Sequence, residues 1–232
     1  MVGARSSRGR WSQSTRIRYL ARRFGDLEFP AAPISNLDRH GNVHSEAADD
    51  IVKSLRGNEG WHHDSTYMPL QAKGAVFSAE VVPSHGAATG FADMRLAYDE
   101  LDPSMRERIQ DMRAYHSLYY SQGRAGYLPT QNAEGGYDQY GYHKGAVSLR
   151  PLVKVHPVTG RPNLLIGRHA HDIEGMEPDA SEQFLDELNE WAVQEHRTYH
   201  HQWAVGDALL WDNRRLMHRA TPFDMTEPRV MW

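Results

Sequence analysis

Apolar positions along the chain fall into short runs divided by turn-forming residues, and one stretch holds a clean helical stripe over several turns. That stretch is "SEQFLDELNEWAVQ" (181–194), where Phe184, Leu185, Leu188, Trp191 and Ala192 recur at the spacing of a single helix face. Helical periodicity also runs through "FADMRLAYDELDPSMRERIQDMRAYHS". There Asp102 and Pro103 supply the cap and first turn of a helix from Ser104 to about Met112. The β-branched run "AVFSAEVVP" (75–83) closes at Pro83 and predicts a strand. "LRPLVKVHP" and "NLLIGRHA", on either side of the turn "VTGRP", predict further short strands, and "TYHHQW", the turn "AVGD" and "ALLWDN" predict a hairpin. Residues 30–58 read as an irregular excursion holding at most a short strand. The Gly-, Tyr- and Gln-rich 121–147 segment reads as either disordered or a lid over a site. Short strands with a few helices interposed predict a mainly β sandwich or barrel flanked by helices, with the sheet carrying the site.

Composition narrows the chemistry. The 232 residues suit a single domain with a sizeable core, and 40% hydrophobic with 24% charged residues is a globular profile. A net charge of −4 gives no basic field to attract nucleic acid, which leaves small molecules as the expected partners. With no cysteine, disulfides, thiolate metal sites and cysteine nucleophiles are all excluded, so any metal must be held by His, Asp or Glu. No apolar run approaches the roughly 18–20 residues that cross a bilayer, and the N-terminus has no apolar signal core. A cytoplasmic protein without a membrane partner is expected. The first 25 residues carry seven arginines and no acid, the composition of a transit peptide. They also suit a basic surface helix, with Ile17, Leu20, Ala21 and Phe24 on its apolar side, and residues 1–15 are expected to be disordered or a remnant.

The candidate chemistry begins in "GWHHDSTYM" (60–68). In an extended chain residues i and i+2 share a face, so His62 pairs with Asp64 while His63 faces away with Ser65. A third ligand must come from a distant segment, and "GDALLWDNRRLMHRATPFD" offers His218 at the end of a hydrophobic strand and its turn. Two histidines and one carboxylate form the facial triad of non-haem Fe(II) oxygenases, which leaves positions open for cosubstrate and dioxygen.

Five segments in order, "WHHDSTY", "VVPSHGAATGFADMRLAYDEL", "LLIGRHAHDIEGM", "VGDALLWDNRRLMHRAT" and "EPRVMW", resemble the Fe(II)/2-oxoglutarate dioxygenases of the TauD/TfdA family. The likeness extends over residues 22–232, and "ADMRLAYDEL" and "IGRHAH" look closer to the 2,4-dichlorophenoxyacetate branch than to the taurine branch. It implies one double-stranded β-helix (jelly-roll) domain over 1–232, which reads as shortened at both ends. It also implies iron held by His62, Asp64 and His218, with Thr89 and Arg229 contacting the distal carboxylate of 2-oxoglutarate. Arg229 has a physical rationale of its own, because a carboxylate inside a barrel needs a partner and an arginine fork supplies two charge-assisted hydrogen bonds. "ATPFDMTEPR" is long enough to turn a strand back and set Arg229 beside His218.

The implied reaction consumes dioxygen, converts 2-oxoglutarate to succinate and CO₂, and hydroxylates a small carboxylate- or sulfonate-bearing substrate, with aryloxyalkanoate ethers in view. His169 matches a histidine near the substrate in that branch, and Arg168 beside it is a departure that adds a positive charge. Strand alternation lets only one of the two face the cavity, and His169 is preferred. The 127–142 segment is the candidate lid, with Tyr119 or Tyr120 as a ring-stacking residue. His63, His200 and His201 read as structural, Trp61 and Trp211 as packing, and Asp212 and Asn213 as turn-shaping. Two other readings use the same residues: a shortened, inactive relative that binds metal or a partner, and a zinc hydrolase. A homo-oligomer is compatible with the sequence.

Overall fold

The computed structural model describes residues 5–6, 33–38, 40–137, 141–142 and 146–232. The helix expected over residues 17–25 lies outside them. Two antiparallel sheets face one another. The larger runs in the order β1 (Arg5–Ser6), β11 (Ala208–Asp212), β3 (Gly74–Val81), β13 (Val230–Met231) and β2 (Ile34–Ser35). In the smaller, β4 (Thr89–Asp93) lies between β10 (Thr198–His201) and β12 (Leu216–Ala220).

Side-chain alternation in the smaller sheet builds two cores at once. Phe91 and Leu216 turn inward and pack with Leu209 and Trp211 of the larger sheet, with Phe77 and Trp203 at the margin. Their neighbours Ala92 and Met217 turn the other way and join Met94, Ile109, Leu164, Phe184 and Leu188. Because β4 is buried on both faces, it lacks the polar alternation that marks a half-exposed strand.

The predicted hairpin over 198–213 does not form. β10 pairs with β4 and β11 with β3, so the "AVGD" turn carries the chain from one sheet to the other. Turn residues specify a reversal of direction but not which strand lies alongside.

Helix α1 (Asp50–Gly57) occupies the segment read as irregular. Asp49 caps it, accepting from Ile51 N at 2.8 Å, and only Val52 and Leu55 supply its buried apolar face. Two apolar residues in a polar stretch are a weak periodic signal.

The next two helices are α2 (Met94–Asp99) and α3 (Pro103–Ile109), the latter capped as expected by Asp102, which accepts from Met105 N at 3.0 Å. The expected extension to Met112 stops short, because Arg113–His116 is β5, held between β6 (Ser148–Pro151) and β9 (Ala170–Ile173). Helix α4 (Leu118–Arg124) enters the segment read as disordered or a lid. Strands β7 (Val153–Val155) and β8 (Pro162–Leu164) form a two-stranded ribbon.

Beyond β8 the chain leaves extended geometry, and Gly167 (φ 114°) opens a turn before β9. Arg168 and His169 therefore sit on a turn, and strand alternation does not choose between them. The long amphipathic helix is α5 (Pro178–Ala192), with Phe184, Leu185, Leu188 and Ala192 buried as expected. Trp191 lies at its rim and donates to Ala97 O at 3.1 Å. Among the described residues no helix is long and apolar enough to cross a membrane.

Candidate metal centre

His218 projects from β12 toward the inner space because it lies two residues from Leu216 on the same strand face. His62 is laid against it as an isolated antiparallel bridge, each residue's N–H donating to the other's carbonyl at 2.9 and 2.8 Å. Extended geometry ends there. Residues 64–67 form a turn, with Ser65 at φ 56°. The turn, rather than strand alternation, brings the Asp64 carboxylate to 3.8 Å from His62 Nε2 and 3.6 Å from His218 Nε2. The ligand atoms of all three residues lie within 4.8 Å of one another.

The donor set fits a divalent cation. His62 Nδ1 bonds the Gly60 carbonyl at 2.7 Å, which places the proton there and leaves the Nε2 lone pair facing Asp64. Burial pushes His62 and His218 each down to about 3, so both imidazoles are neutral at neutral pH. Burial also raises the Asp64 carboxyl, against the opposing pull of His62. Imidazole lone pairs and a carboxylate converging in this way need a positive charge between them.

His63 faces away. It is fully buried, and its Nδ1 bonds the Asn213 carbonyl at 2.8 Å. Asn213 itself does more than shape a turn. Its Oδ1 accepts from Asp64 N at 2.9 Å, and its Nδ2 donates to the carbonyls of Asp64 and Ala72 at 3.0 and 2.9 Å. Fully buried, it clamps the turn that carries Asp64. Replacing Asn213 with alanine is expected to weaken Mn(II) binding about 10–100-fold, the usual effect of removing a group that orients a metal ligand. Electron paramagnetic resonance titration of free Mn(II) checks it, and an affinity within twofold of the native protein would refute the clamp.

Thr89 shares the inner face with Phe91 and pairs with Ala220, two residues along β4 from the Phe91↔His218 pair. Its Oγ1 accepts from Trp203 Nε1 at 2.9 Å. Arg229 enters from the opposite sheet, immediately before β13. The reversal through 220–229 thus carries Arg229 across the inner space rather than onto the strand next to His218. Phe77 and Trp211 line the same space, with the Arg229 guanidinium 5.7 Å from the Phe77 ring, Phe77 6.4 Å from Trp211, and Trp211 4.9 Å from the His218 ring.

Arg229 is 3% exposed, and among the described residues no carboxylate pairs with it. Burial lowers it to about 10, which still leaves it charged at neutral pH. Its backbone is fixed by the fully buried Asn36, which accepts from Arg229 N at 2.7 Å and donates to the carbonyls of Met225 and Glu227, both at 2.9 Å.

His169 and Arg168 both border the ligand segment. The His169 ring meets His62 edge-on at 5.6 Å and Tyr67 at 4.8 Å, and its Nδ1 bonds Ser121 Oγ at 2.8 Å. Arg168 N donates to Trp61 O at 2.8 Å, and its guanidinium donates to Gln122 Oε1. Tyr119 packs on Tyr137 at 5.8 Å and Tyr120 on His171 at 4.4 Å. Trp61 packs under Arg219 and beside His200, and His201 pairs with Asp207 at 3.1 Å. Tyr67, Gln122 and Asn36 carry no local signal for these roles in the sequence, and Asn213 signals only the turn it sits in.

Two facing antiparallel sheets form a β-sandwich that carries on its inner surface a His-Asp-His cluster able to hold a metal. The chain matches the model of the taurine catabolism dioxygenase TauD, TfdA family over residues 13–232, and it belongs to that family. It is 60% identical over 213 residues to the (S)-phenoxypropionate/alpha-ketoglutarate-dioxygenase of Sphingobium herbicidovorans, covering 91% of this chain and 74% of that one. With the alpha-ketoglutarate-dependent 2,4-dichlorophenoxyacetate dioxygenase of a Burkholderia species it shares 35% over 200 residues, covering 86% and 65%. Both relatives are phenoxyalkanoate dioxygenases by name, in line with the motifs, and the likeness is stronger to the phenoxypropionate enzyme. The crystal structure of AAD-2 in complex with Mn(II) and N-oxalylglycine superposes with a TM-score of 0.87 at 33% identity, covering 98% of this chain and 82% of that one. The fold is the jelly roll of TauD-like dioxygenases.

Proposed function

We propose that the protein is an Fe(II)- and 2-oxoglutarate-dependent dioxygenase that hydroxylates a small anionic substrate, an aryloxyalkanoate such as (S)-2-phenoxypropionate. One observation carries this reading: three convergent ligands, His218 on β12, His62 bridged to it and Asp64 on the turn that follows, share the inner space with a buried arginine of the opposite sheet that has no carboxylate among the described residues. A dicarboxylate cosubstrate accounts for both ends of the space, whereas hydrolysis at a zinc centre does not by itself call for that charge. Iron bound by His62, Asp64 and His218 would anchor the 2-oxo acid end and supply the oxidising chemistry that couples decarboxylation to C–H hydroxylation.

The chain's own residues do the positioning. Arg229 and the Thr89 hydroxyl hold the far carboxylate of 2-oxoglutarate, while Phe77, Phe91, Trp211 and Trp203 keep water from that end. For the substrate carboxylate Arg168 is better suited than His169. The Ser121 hydroxyl donates to Leu118 O at 3.0 Å, so it accepts from His169 Nδ1–H. That leaves His169, which burial keeps neutral, with a bare Nε2 that cannot donate to an anion.

Hydroxylation at the carbon bearing the ether oxygen yields a hemiketal. It collapses as the hydroxyl proton passes to the departing phenoxide, giving phenol and pyruvate. With Fe(II), 2-oxoglutarate, dioxygen and (S)-2-phenoxypropionate, succinate and phenol should form in equal amounts, faster than with the (R) enantiomer. Oxygen-independent, zinc-dependent hydrolysis in place of succinate formation would overturn the reading.

A further inference from the structure

Arg168 is held beside the metal site by an uncharged partner. Its stem lies across the ligand segment, where a Cβ on Gly60 would come within 3.0 Å of Arg168 Cδ, and its backbone N–H is tied to Trp61 O. The guanidinium donates to Gln122 Oε1, and among the described residues no carboxylate pairs with it.

Gln122 is 5% exposed, on α4, and its amide is locked from several sides. It hydrogen-bonds the Tyr142 hydroxyl as well as Arg168. It also presses on the C-terminal end of α1, where a Cβ on Gly57 would lie 2.0 Å from Oε1. A side chain fixed in this way can orient an arginine without neutralising it. Glutamate would fill the same volume, but it would satisfy the guanidinium internally.

We propose that Gln122 is a positioning residue that sets the preference for an anionic substrate, presenting Arg168 to the incoming carboxylate through a neutral acceptor so that its charge stays uncompensated until substrate binds. This rests on the aryloxyalkanoate reading given above. The charge is available at neutral pH, since burial lowers Arg168 only to about 10. Gln122 would act through Arg168 and touch neither metal nor cosubstrate. It should therefore govern which substrate binds, not whether the centre assembles.

The test uses the 232-residue protein loaded with Mn(II) and N-oxalylglycine, so that binding is read without turnover. Isothermal titration would follow 2-phenoxypropionate and its uncharged carboxamide. Gln122→Glu should weaken binding of the acid about tenfold or more by placing a competing carboxylate on Arg168, and leave the carboxamide within about twofold, so that the acid-over-amide preference collapses. Gln122→Met, which keeps the bulk and removes the acceptor, should weaken the acid less and leave some preference. Both variants should take up Mn(II) and N-oxalylglycine as the native protein does.

Native-like acid binding by Gln122→Glu would overturn the inference while leaving the functional reading intact. Equal loss of acid and carboxamide would also overturn it, by showing a merely structural role. A native protein that forms the Mn(II)·N-oxalylglycine complex yet binds no aryloxyalkanoate would overturn both.

Discussion

Replacing His218 with alanine, or Asp64 with asparagine, is expected to lower Mn(II) or Fe(II) affinity by more than about 100-fold, beyond the usual loss when only an outer-shell partner of a ligand is removed. The backbone pairing between residues 62 and 218 involves main-chain groups alone and survives the His218→Ala change. Loss of affinity would therefore report the missing ligand rather than a collapsed strand pair. Asp64→Asn is the stricter variant, because it preserves shape while removing the one negative charge of the donor set and replacing one accepting oxygen with a donor. His63 supplies the control. One residue from His62 and as deeply buried, it faces Asn213, so His63→Ala should lower thermal stability while keeping Mn(II) affinity within severalfold. Equal loss of metal in all three variants would mean that the pairing of His62 with Asp64 is misassigned.

The second large effect belongs to Arg229. Arg229→Met should raise the dissociation constant for 2-oxoglutarate or N-oxalylglycine by roughly 100-fold or more, within the 2–5 kcal/mol typical of truncating one partner of a buried charge pair. Metal affinity should stay near native, since Arg229 belongs to the opposite sheet and is not one of the converging ligands. A further consequence separates this residue from an ordinary structural one. Without cosubstrate the buried guanidinium has no carboxylate among the described residues, and a methionine of similar length removes that desolvation cost. The ligand-free variant should therefore melt at an equal or higher temperature than the ligand-free native protein, while gaining far less from added N-oxalylglycine. A variant that loses stability in both states would assign Arg229 to the core.

The site was legible in the sequence to the extent that it rests on residue type and short spacing. His62, Asp64, His218, Thr89 and Arg229 fall in segments that keep their order and motif, and the structure gathers the first three into one cluster. Strand geometry holds for only half of the pairing of His62 with Asp64, because the chain is extended at His62 but turns at Asp64. His62 and Asp64 do come together, but through the turn and not through strand alternation.

The supporting groups show why the rest was hidden. Asn213 reaches Asp64 across 149 positions and Asn36 reaches Arg229 across 193, so neither pairing leaves a local pattern. Similarly, β10 and β11 looked like a hairpin because a turn divides two apolar runs, yet their partners β4 and β3 lie more than a hundred residues earlier. β5 was absorbed into a helical stretch because its four residues follow α3 so closely. Helix α5 and strand β3 needed no distant information and were read correctly.

The most direct test of the central claim, that one inner space binds a metal and a 2-oxo acid together, is an anaerobic titration of the purified protein with Fe(II) and 2-oxoglutarate followed in the visible spectrum. A weak charge-transfer band should appear only when both are present. It should be absent in Asp64→Asn, and in Arg229→Met it should return only at much higher 2-oxoglutarate concentration. Iron uptake without that band, or a band indifferent to both substitutions, would contradict the account.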